Sequence, residues 1–368
     1  MIKIKAPGRI TLFGEHQDYL NYPVISMAIS KYIYLKAERI SDNKFIINLS
    51  DINKTIQIPL KNKEIDYESK RDYLRSGYNQ LLRKSFKFEK GYKIKISGDI
   101  PINAGVASSS ALVIAWLYFL YLISNYDINK SQLALDGYNV EVKEFEEAGG
   151  KMDFFTSVYG GILHLNLNTK IPIIKRFNIA LDGILLGDSL EKKDTVEDLR
   201  RTKRESKEAF KALKNIMPSF DRFNTPLVKI KKYLKSMEKS YQKKIIGNII
   251  NRDLTEKAKN LLFKYGSEFH ENMISKKDST YFYKTLGTLI TKHHQQLRDN
   301  IKISTKKIDK MISSCIKAGA WGGKINGSGF GGTMFALAPE KEEEVYKVIK
   351  KLGGKPYRIE SSHGVGTF

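Results

Sequence analysis

The sequence predicts an α+β chain of two halves, residues 1–185 and 186–368, with the change between about 175 and 195. Three observations carry that prediction. Apolar and polar residues alternate with period two from Ile2 to about Ile58, as in KIKAPGRITLF and KYIYLKAERI, the pattern of half-buried strands. Composition shifts near Lys192 to lysine-rich patterns of helical period that run to about Ala320. Beyond them a strand, a helix and a strand follow in TMFALA, PEKEEEVYKVIKKLGG and KPYRIES. At 368 residues the chain is long enough for roughly two domains, each with its own core.

Each element has a local reason. After the opening strands, YKIKISGDI reads as another strand, followed by a loop of small residues and the apolar run Ala111 to Ile123. That run falls short of the roughly 18 to 20 residues of a membrane span and contains Trp116, Tyr118 and Tyr121, so it reads as a buried helix. Strands return at GGILHLNL and at about 184 to 187. In the second half the helix from Lys306 to Ala318 is the clearest. Ile308, Met311, Ile312, Cys315 and Ile316 recur there at spacings of three and four, with Ser304 as the expected N-cap and Gly319 as the stop.

With 41% hydrophobic and 28% charged residues the composition is that of a soluble globular protein. A single cysteine, Cys315, excludes an internal disulfide framework and a cysteine-rich metal site. The first residues, MIKIKAPGRI, go straight into motif without an apolar signal core. A cytoplasmic location away from membranes is therefore the expectation, as a monomer or weak homodimer. The formal charge of +23 raises the question of polyanions. Its lysines are spread along the chain and mixed with acids, as in KKDTVEDLRRTKRESKE, and no RNA-binding, zinc-finger or basic-zipper pattern is present. A solvated surface is expected rather than a specific nucleic-acid partner, and such a field would also draw an anionic nucleotide.

Three segments carry chemistry. In GDIPINAGVASSSALVIAW, residues 98 to 116, the small residues Gly105, Ala107, Ser108, Ser109 and Ser110 leave backbone N–H groups free to close around an anion, and the following helix points its positive end at the same place. An N-cap with small packing residues is the plain alternative. KAPGRITLFGEHQDY, residues 5 to 19, gathers Arg9, Glu15, His16 and Asp18 in one short stretch after a strand, where a surface turn or a metal site is the rival reading. KINGSGFGGTMFA, residues 324 to 336, is a second glycine-rich loop before a strand and equally fits a tight hairpin. His293 and His294 sit in a helical pattern, read as exposed side chains.

In order and spacing the three segments resemble the signature motifs of the galactokinase, homoserine kinase, mevalonate kinase and phosphomevalonate kinase (GHMP kinase) superfamily. APGRITLFGEHQDY is similar to the galactokinase signature, with Gln17 in place of a threonine and Leu20, Asn21 and Tyr22 in place of Asn-Gly-Gly. The resemblance continues through DYLRSGYNQLL, GGKMDFF, GDSLEKKDTVEDLRRTKRESKEA and LRDNIKISTKKIDKMI, and so covers nearly the whole chain. It implies a two-domain fold, with an N-terminal half like domain 2 of ribosomal protein S5, a ferredoxin-like C-terminal half and an active site between them.

The implied activity is ATP-dependent transfer of a phosphoryl group to a sugar hydroxyl, with magnesium. Neither a Walker A sequence nor a protein-kinase His-Arg-Asp signature is present. By resemblance the loop of Pro101, Ala104, Gly105, Val106, Ala107, Ser108, Ser109 and Ser110, with Gly327 and Gly329 of the second glycine loop, would clamp the nucleotide. Ser110 and Glu141 would hold magnesium, a hard cation suited to a hydroxyl and one carboxylate. Asp153, in GGKMDFF, matches the family's catalytic aspartate, and Arg9 the arginine that stabilises charge near it. Glu15, His16, Asp18, Tyr19, Gly150 and Lys151 would face the sugar, Lys151 meeting an anionic group if the substrate carries one.

Galactose itself is not fixed by these residues, because EDL stands before Arg200 and Arg201 where galactokinases carry a sugar-contacting tyrosine. Amino sugars, uronic acids and heptose phosphates stay open, as does mevalonate, against which the intact Gly-Glu-His-x-Asp-Tyr argues. A sensor that binds sugar and ATP without turnover is the alternative of another class. Such a protein could lose Asp153, Arg9 or the serine loop, and all are present.

Overall fold

The computed structural model describes residues 1–61, 63–191, 195–270 and 275–368. The composition shift at Lys192 and the LysLysAsp part of the segment that follows lie outside the described residues. The period-two stretches form an eight-stranded sheet with the path β12-β1-β2-β5-β3-β4. Its strands are β1 (Ile2–Phe13), β2 (Val24–Ile40), β3 (Lys44–Leu49), β4 (Lys54–Pro59), β5 (Gly91–Gly98), β6 (Ile162–Asn166), β7 (Ile173–Phe177) and β12 (Gly366–Thr367). β6 branches off β2 and carries β7. α2 (Ser108–Ile123) and α4 (Met152–Tyr159) lie on this sheet, and α1 (Tyr73–Leu82) and α3 (Lys130–Tyr138) pack against them. The apolar run is α2, and it is apolar all round because it is buried on nearly every side, with Trp116 and Phe119 fully enclosed.

β8 (Ile184–Asp188) opens a second, four-stranded sheet. It is completed by β9 (Gly322–Asn326), β10 (Thr333–Leu337) and β11 (Lys355–Ile359) in the order β11-β8-β10-β9, every pair antiparallel. With α9 (Lys306–Lys317) before β9 and α10 (Glu342–Lys351) between β10 and β11, this is the ferredoxin-like β-α-β-β-α-β arrangement. The lysine-rich patterns are α5 (Thr195–Ile216), α6 (Leu227–Leu234), α7 (Lys239–His270) and α8 (Lys276–Gln296).

The halves are not independent. A core of residues from both sheets runs through Ile10, Phe13 and Leu186 to Phe335, and a separate cluster packs Tyr19, Leu20 and Tyr22 against α5, α6 and α7. The last residues return to the first sheet, where Thr367 pairs with Ile4 and Gly366 with Lys5. Two local expectations need correction. Thr305, not Ser304, caps α9 by accepting from the Ile308 N–H, while the Ser304 hydroxyl donates to Asp309. His293 and His294 are buried, because α8 lies directly on β9. The Ile325 N–H reaches His294 Nδ1, and the His293 ring stacks on Phe13.

Candidate active site

The three motif segments meet at one cavity of about 430 Å³, within the usual range for a small-molecule site. Arg9, on β1, is buried and joins its parts. Its Nε and Nη2 donate to the two carboxylate oxygens of Asp153 at 2.7 and 2.9 Å, and its Nη1 donates to the Gly105 carbonyl at 2.7 Å. Asp153 stands in the first turn of α4. The bidentate fork fixes the carboxylate plane more firmly than a lysine would.

The serine loop is held from behind by backbone and by the second half. The Arg9 N–H donates to Val106 O, and Thr333 on β10 gives both its N–H and its hydroxyl to Ala104 O. Asn326 at the end of β9 gives its amide to Gly105 O at 2.9 Å. With those carbonyls turned inward, Ala107 sits in the left-handed region at φ 61° and the first turn of α2 opens on the cavity. Among the described residues no side chain caps that turn, so the helix presents uncapped N–H groups at its positive end.

Glu141 lies beside it in a π-helical turn, Asn139–Lys143, that continues α3. Such turns recur at functional sites, and in this one the Glu141 side chain is buried and lines the cavity. The Ser109 hydroxyl donates to Glu141 Oε1 at 2.6 Å, whereas Oε2 is buried with no partner among the described residues. Burial pushes the Glu141 carboxyl up to about 7, against the pull of the Ser109 and Ser110 hydroxyls. A desolvated carboxylate with a spare oxygen, next to the Ser110 hydroxyl at a helix N-terminus, fits a magnesium ion. Among the described residues no group of three or more His, Cys, Asp or Glu could hold a metal by itself, so water and phosphate oxygens would complete the shell.

At the other end stand Glu15, His16, Asp18 and Tyr19. Glu15 is nearly enclosed and accepts from the ammonium of Lys324 at 2.9 Å. Burial raises its carboxyl, but Lys324 and Arg9 outweigh that and hold it below the ordinary range. His16 is occupied on both sides. Its Nε2–H donates to the Ser328 carbonyl at 3.0 Å, which leaves Nδ1 to accept from the Tyr19 hydroxyl at 2.9 Å. Burial lowers His16 to about 4, so the ring is neutral near pH 7. Asp18 accepts from the Tyr19 N–H, and burial, with Asp153 nearby, pushes its carboxyl up to about 7. Gly150 makes that position possible, since a Cβ there would sit 2.1 Å from Asp18 Oδ2.

Of the residues singled out in the sequence, Arg9, Glu15, His16, Asp18, Tyr19, Gly105, Ala107, Ser108, Ser109, Ser110, Glu141, Gly150, Asp153 and Gly327 line the cavity. Pro101, Ala104 and Val106 do not, and the last two contribute the carbonyls that anchor the loop. Gly329 also lies behind it, at φ +79° against Ile303. Lys151 points away, donating to the Lys170 carbonyl at 2.9 Å. Gln17 explains its departure from the signature by turning into the protein, where its amide donates to Asn248 O on α7. Leu199, in the segment without the tyrosine, lines the cavity.

Sequence reasoning missed Lys324, Asn326 and Thr333. The available signal was a single charged residue in the glycine-rich, apolar stretch that leads into the second glycine loop. It also missed an apolar lobe formed by Ile33, Leu49, Ile52, Ile96, Ile102 and Leu112.

The GHMP kinases N terminal domain matches residues 72–161, and the GHMP kinases C terminal domain matches residues 281–358. The chain belongs to the GHMP kinases, ATP-dependent phosphotransferases that act on an alcohol group. Within that family it is galactokinase-like, for the galactokinase galactose-binding signature matches residues 2–39. Galactokinase of Thermotoga maritima is 27% identical over 380 residues, covering 99% of both chains. Mevalonate kinase of Thermococcus sibiricus is 27% identical over 361 residues, covering 95% of this chain and 93% of the other. The fold is shared with Lactococcus lactis galactokinase complexed with galactose, at a TM-score of 0.83 and 20% identity over 100% of this chain and 95% of that one. Methanococcus jannaschii mevalonate kinase gives 0.70 at 22% identity over 98% of each. Among the described residues no helix is long and apolar enough to cross a membrane.

Proposed function

We propose that this chain transfers the γ-phosphate of ATP to a hydroxyl, the anomeric one at C1, of galactose or a closely related monosaccharide. The observation that carries the reading is Arg9. One guanidinium grips the Asp153 carboxylate and the Gly105 carbonyl, and so stands between an anion-binding loop and a cluster of acids suited to hydroxyls. Asp153, fixed in plane, accepts a hydrogen bond from the acceptor hydroxyl and takes its proton as the oxygen–γ-phosphorus bond forms and the bond from that phosphorus to the β,γ-bridging oxygen breaks, releasing ADP. Arg9 offsets the charge gathering between the reactants.

Gly105 and residues 107 to 110, which open α2, hold the phosphates by backbone N–H groups and hydroxyls, with Ala104 and Val106 anchoring the loop and Gly327 backing it. The apolar lobe beyond Leu112 suits a flat base. Ser110 and Glu141 would hold magnesium, which supplies positive charge to the phosphate oxygens when bound. Glu15 and Asp18 face the ring hydroxyls of the sugar, the Tyr19 N–H braces Asp18 while His16 holds the Tyr19 hydroxyl, and Gly150 leaves the room. A division of the chain near residue 185 places the acceptor and phosphate loops in the first half and the bracing hairpin in the second.

A polar pocket of this kind discriminates because any analogue lacking a hydroxyl leaves buried groups unpaired. Mevalonate is the second reading, favoured by relatives that match as well in sequence as the galactokinases do. Purified chain should be assayed for sugar-dependent ADP release with magnesium and ATP, across galactose, other hexoses, amino sugars, uronic acids, heptose phosphates and mevalonate. The phosphorylated position is read by NMR. Turnover on galactose or a near epimer, phosphorylated at C1, is expected. Turnover on mevalonate alone, or on nothing, would overturn the reading.

A further inference from the structure

Lys324 is fully buried, an expensive place for an ammonium, and it does not line the cavity. It has two oxygen partners, Glu15 Oε2 at 2.9 Å and the Thr11 carbonyl at 2.8 Å, and it lies 5.2 Å from the centre of the Phe335 ring. Well-packed apolar residues replace buried ion pairs at little cost to folding, and often to its benefit. A pair kept here, directly behind the acceptor end, has a different use.

The neighbour two residues on shows what that use is. Lys324 and Asn326 leave β9 on the same side, as alternate residues of a strand do. Both seize Thr11 on β1, Lys324 through its carbonyl and Asn326 Oδ1 through its N–H at 2.8 Å. From that shared anchor they diverge, Lys324 to Glu15 at the acceptor end and Asn326 to Gly105 O at the phosphate end.

We propose that Lys324 is a positioning residue for the acceptor, holding the Glu15 carboxylate ionised and aimed into the sugar end of the cavity, while Asn326 on the same strand sets the phosphate loop. This rests on the reading of Glu15 as a sugar contact. It assigns to the second half of the chain a part in choosing the acceptor, through a side chain that never meets it.

The test is steady-state kinetics of the full chain with magnesium ATP and galactose, or the panel sugar with the highest kcat/KM, on Glu15→Gln, Lys324→Met and the double variant. Each single change is expected to raise the sugar KM by roughly tenfold or more and to leave the ATP KM within about twofold. The double should match Glu15→Gln within about threefold, because two residues acting as a unit are not additive. If Lys324→Met alone does not fold, the double, which leaves no buried charge unpaired, carries the comparison. A double more than about threefold worse than Glu15→Gln in sugar KM, or an ATP KM that rises in step, overturns the proposal. So does a double that fails to fold where Glu15→Gln folds, since Lys324 is then a strut. Wild-type chain without turnover on any sugar sinks the functional reading as well, whereas turnover with an unmoved sugar KM in the variants sinks this inference alone.

Discussion

Replacing Gly327 by alanine tests whether the second glycine loop sets the first. Gly327 has φ +79°, where a side chain costs about 1 to 2 kcal/mol, and the added Cβ would lie 2.3 Å from the Gly105 carbonyl oxygen. Ordinary C···O contacts begin near about 3.3 Å, so the two loops must separate by about 1 Å. Neither side yields as a flexible side chain would, because the obstacle is backbone. Gly105 O is also the shared acceptor of Arg9 Nη1 and Asn326 Nδ2, at 2.7 and 2.9 Å, so the shift stretches both bonds. Strain and overpacking together should lower stability by about 2 to 5 kcal/mol. A displacement of that size in a reacting geometry costs activity by roughly 100-fold. Thermal unfolding and steady-state kinetics read the two effects, with Gly366→Ala, whose Cβ meets nothing within 4 Å, as the silent control. A Gly327→Ala enzyme with wild-type kcat and ATP KM would refute the claim that this contact positions the phosphate loop.

Three other outcomes follow from the same geometry. Asp153→Asn should lower kcat by about 1000-fold or more while nucleotide still binds in calorimetry, and retained full activity would remove Asp153 from the chemistry. Glu15→Ala and Asp18→Ala should each weaken sugar binding far more than nucleotide binding, whereas equal losses of both would make the cluster structural. Glu141→Gln should raise the magnesium concentration needed for half-maximal rate and should change how stability depends on pH. Its carboxyl rises on folding to about 7, so the folded state holds the extra proton between the ordinary carboxylate range and pH 7, and stability falls as pH rises through that window. The variant lacks this loss, and relative to wild type it should gain up to about 3 kcal/mol between pH 5 and 7.5 in chemical denaturation. The buried neutral His16 acts with the opposite sign and is common to both proteins. Identical pH slopes in the two proteins would refute the raised carboxyl.

The strands and α2 were legible because their periods are set by burial on one face or on all. That Arg9, Asp153 and the serine loop meet at one cavity was legible through the resemblance of their segments to the GHMP kinase motifs, because each segment alone fits a turn or a cap as well. What escaped was decided by distant partners. Whether Ser304 or Thr305 caps α9 depends on which hydroxyl Asp309 draws aside, and His293 looks exposed until α8 is laid on β9. Glu141 is buried in a π-helical turn inside what reads as an acidic helix face. Lys151 had the right charge at the right spacing, and the carbonyl of Lys170 claims it. The apolar lobe draws single residues from several strands and loops, so no window of sequence displays it.

One guanidinium serves both Asp153 and Gly105 O, and so links the two sides of the cavity. On the proposed reading, a nucleotide that draws the serine loop inward would pull on the same group that aligns the Asp153 carboxylate for the acceptor. Binding linkage is reciprocal by thermodynamic necessity, so whatever factor ATP adds to sugar affinity, sugar adds to ATP affinity. On the proposed reading Arg9 would be the physical channel for that exchange. An alanine in its place should leave two ligands that bind as strangers.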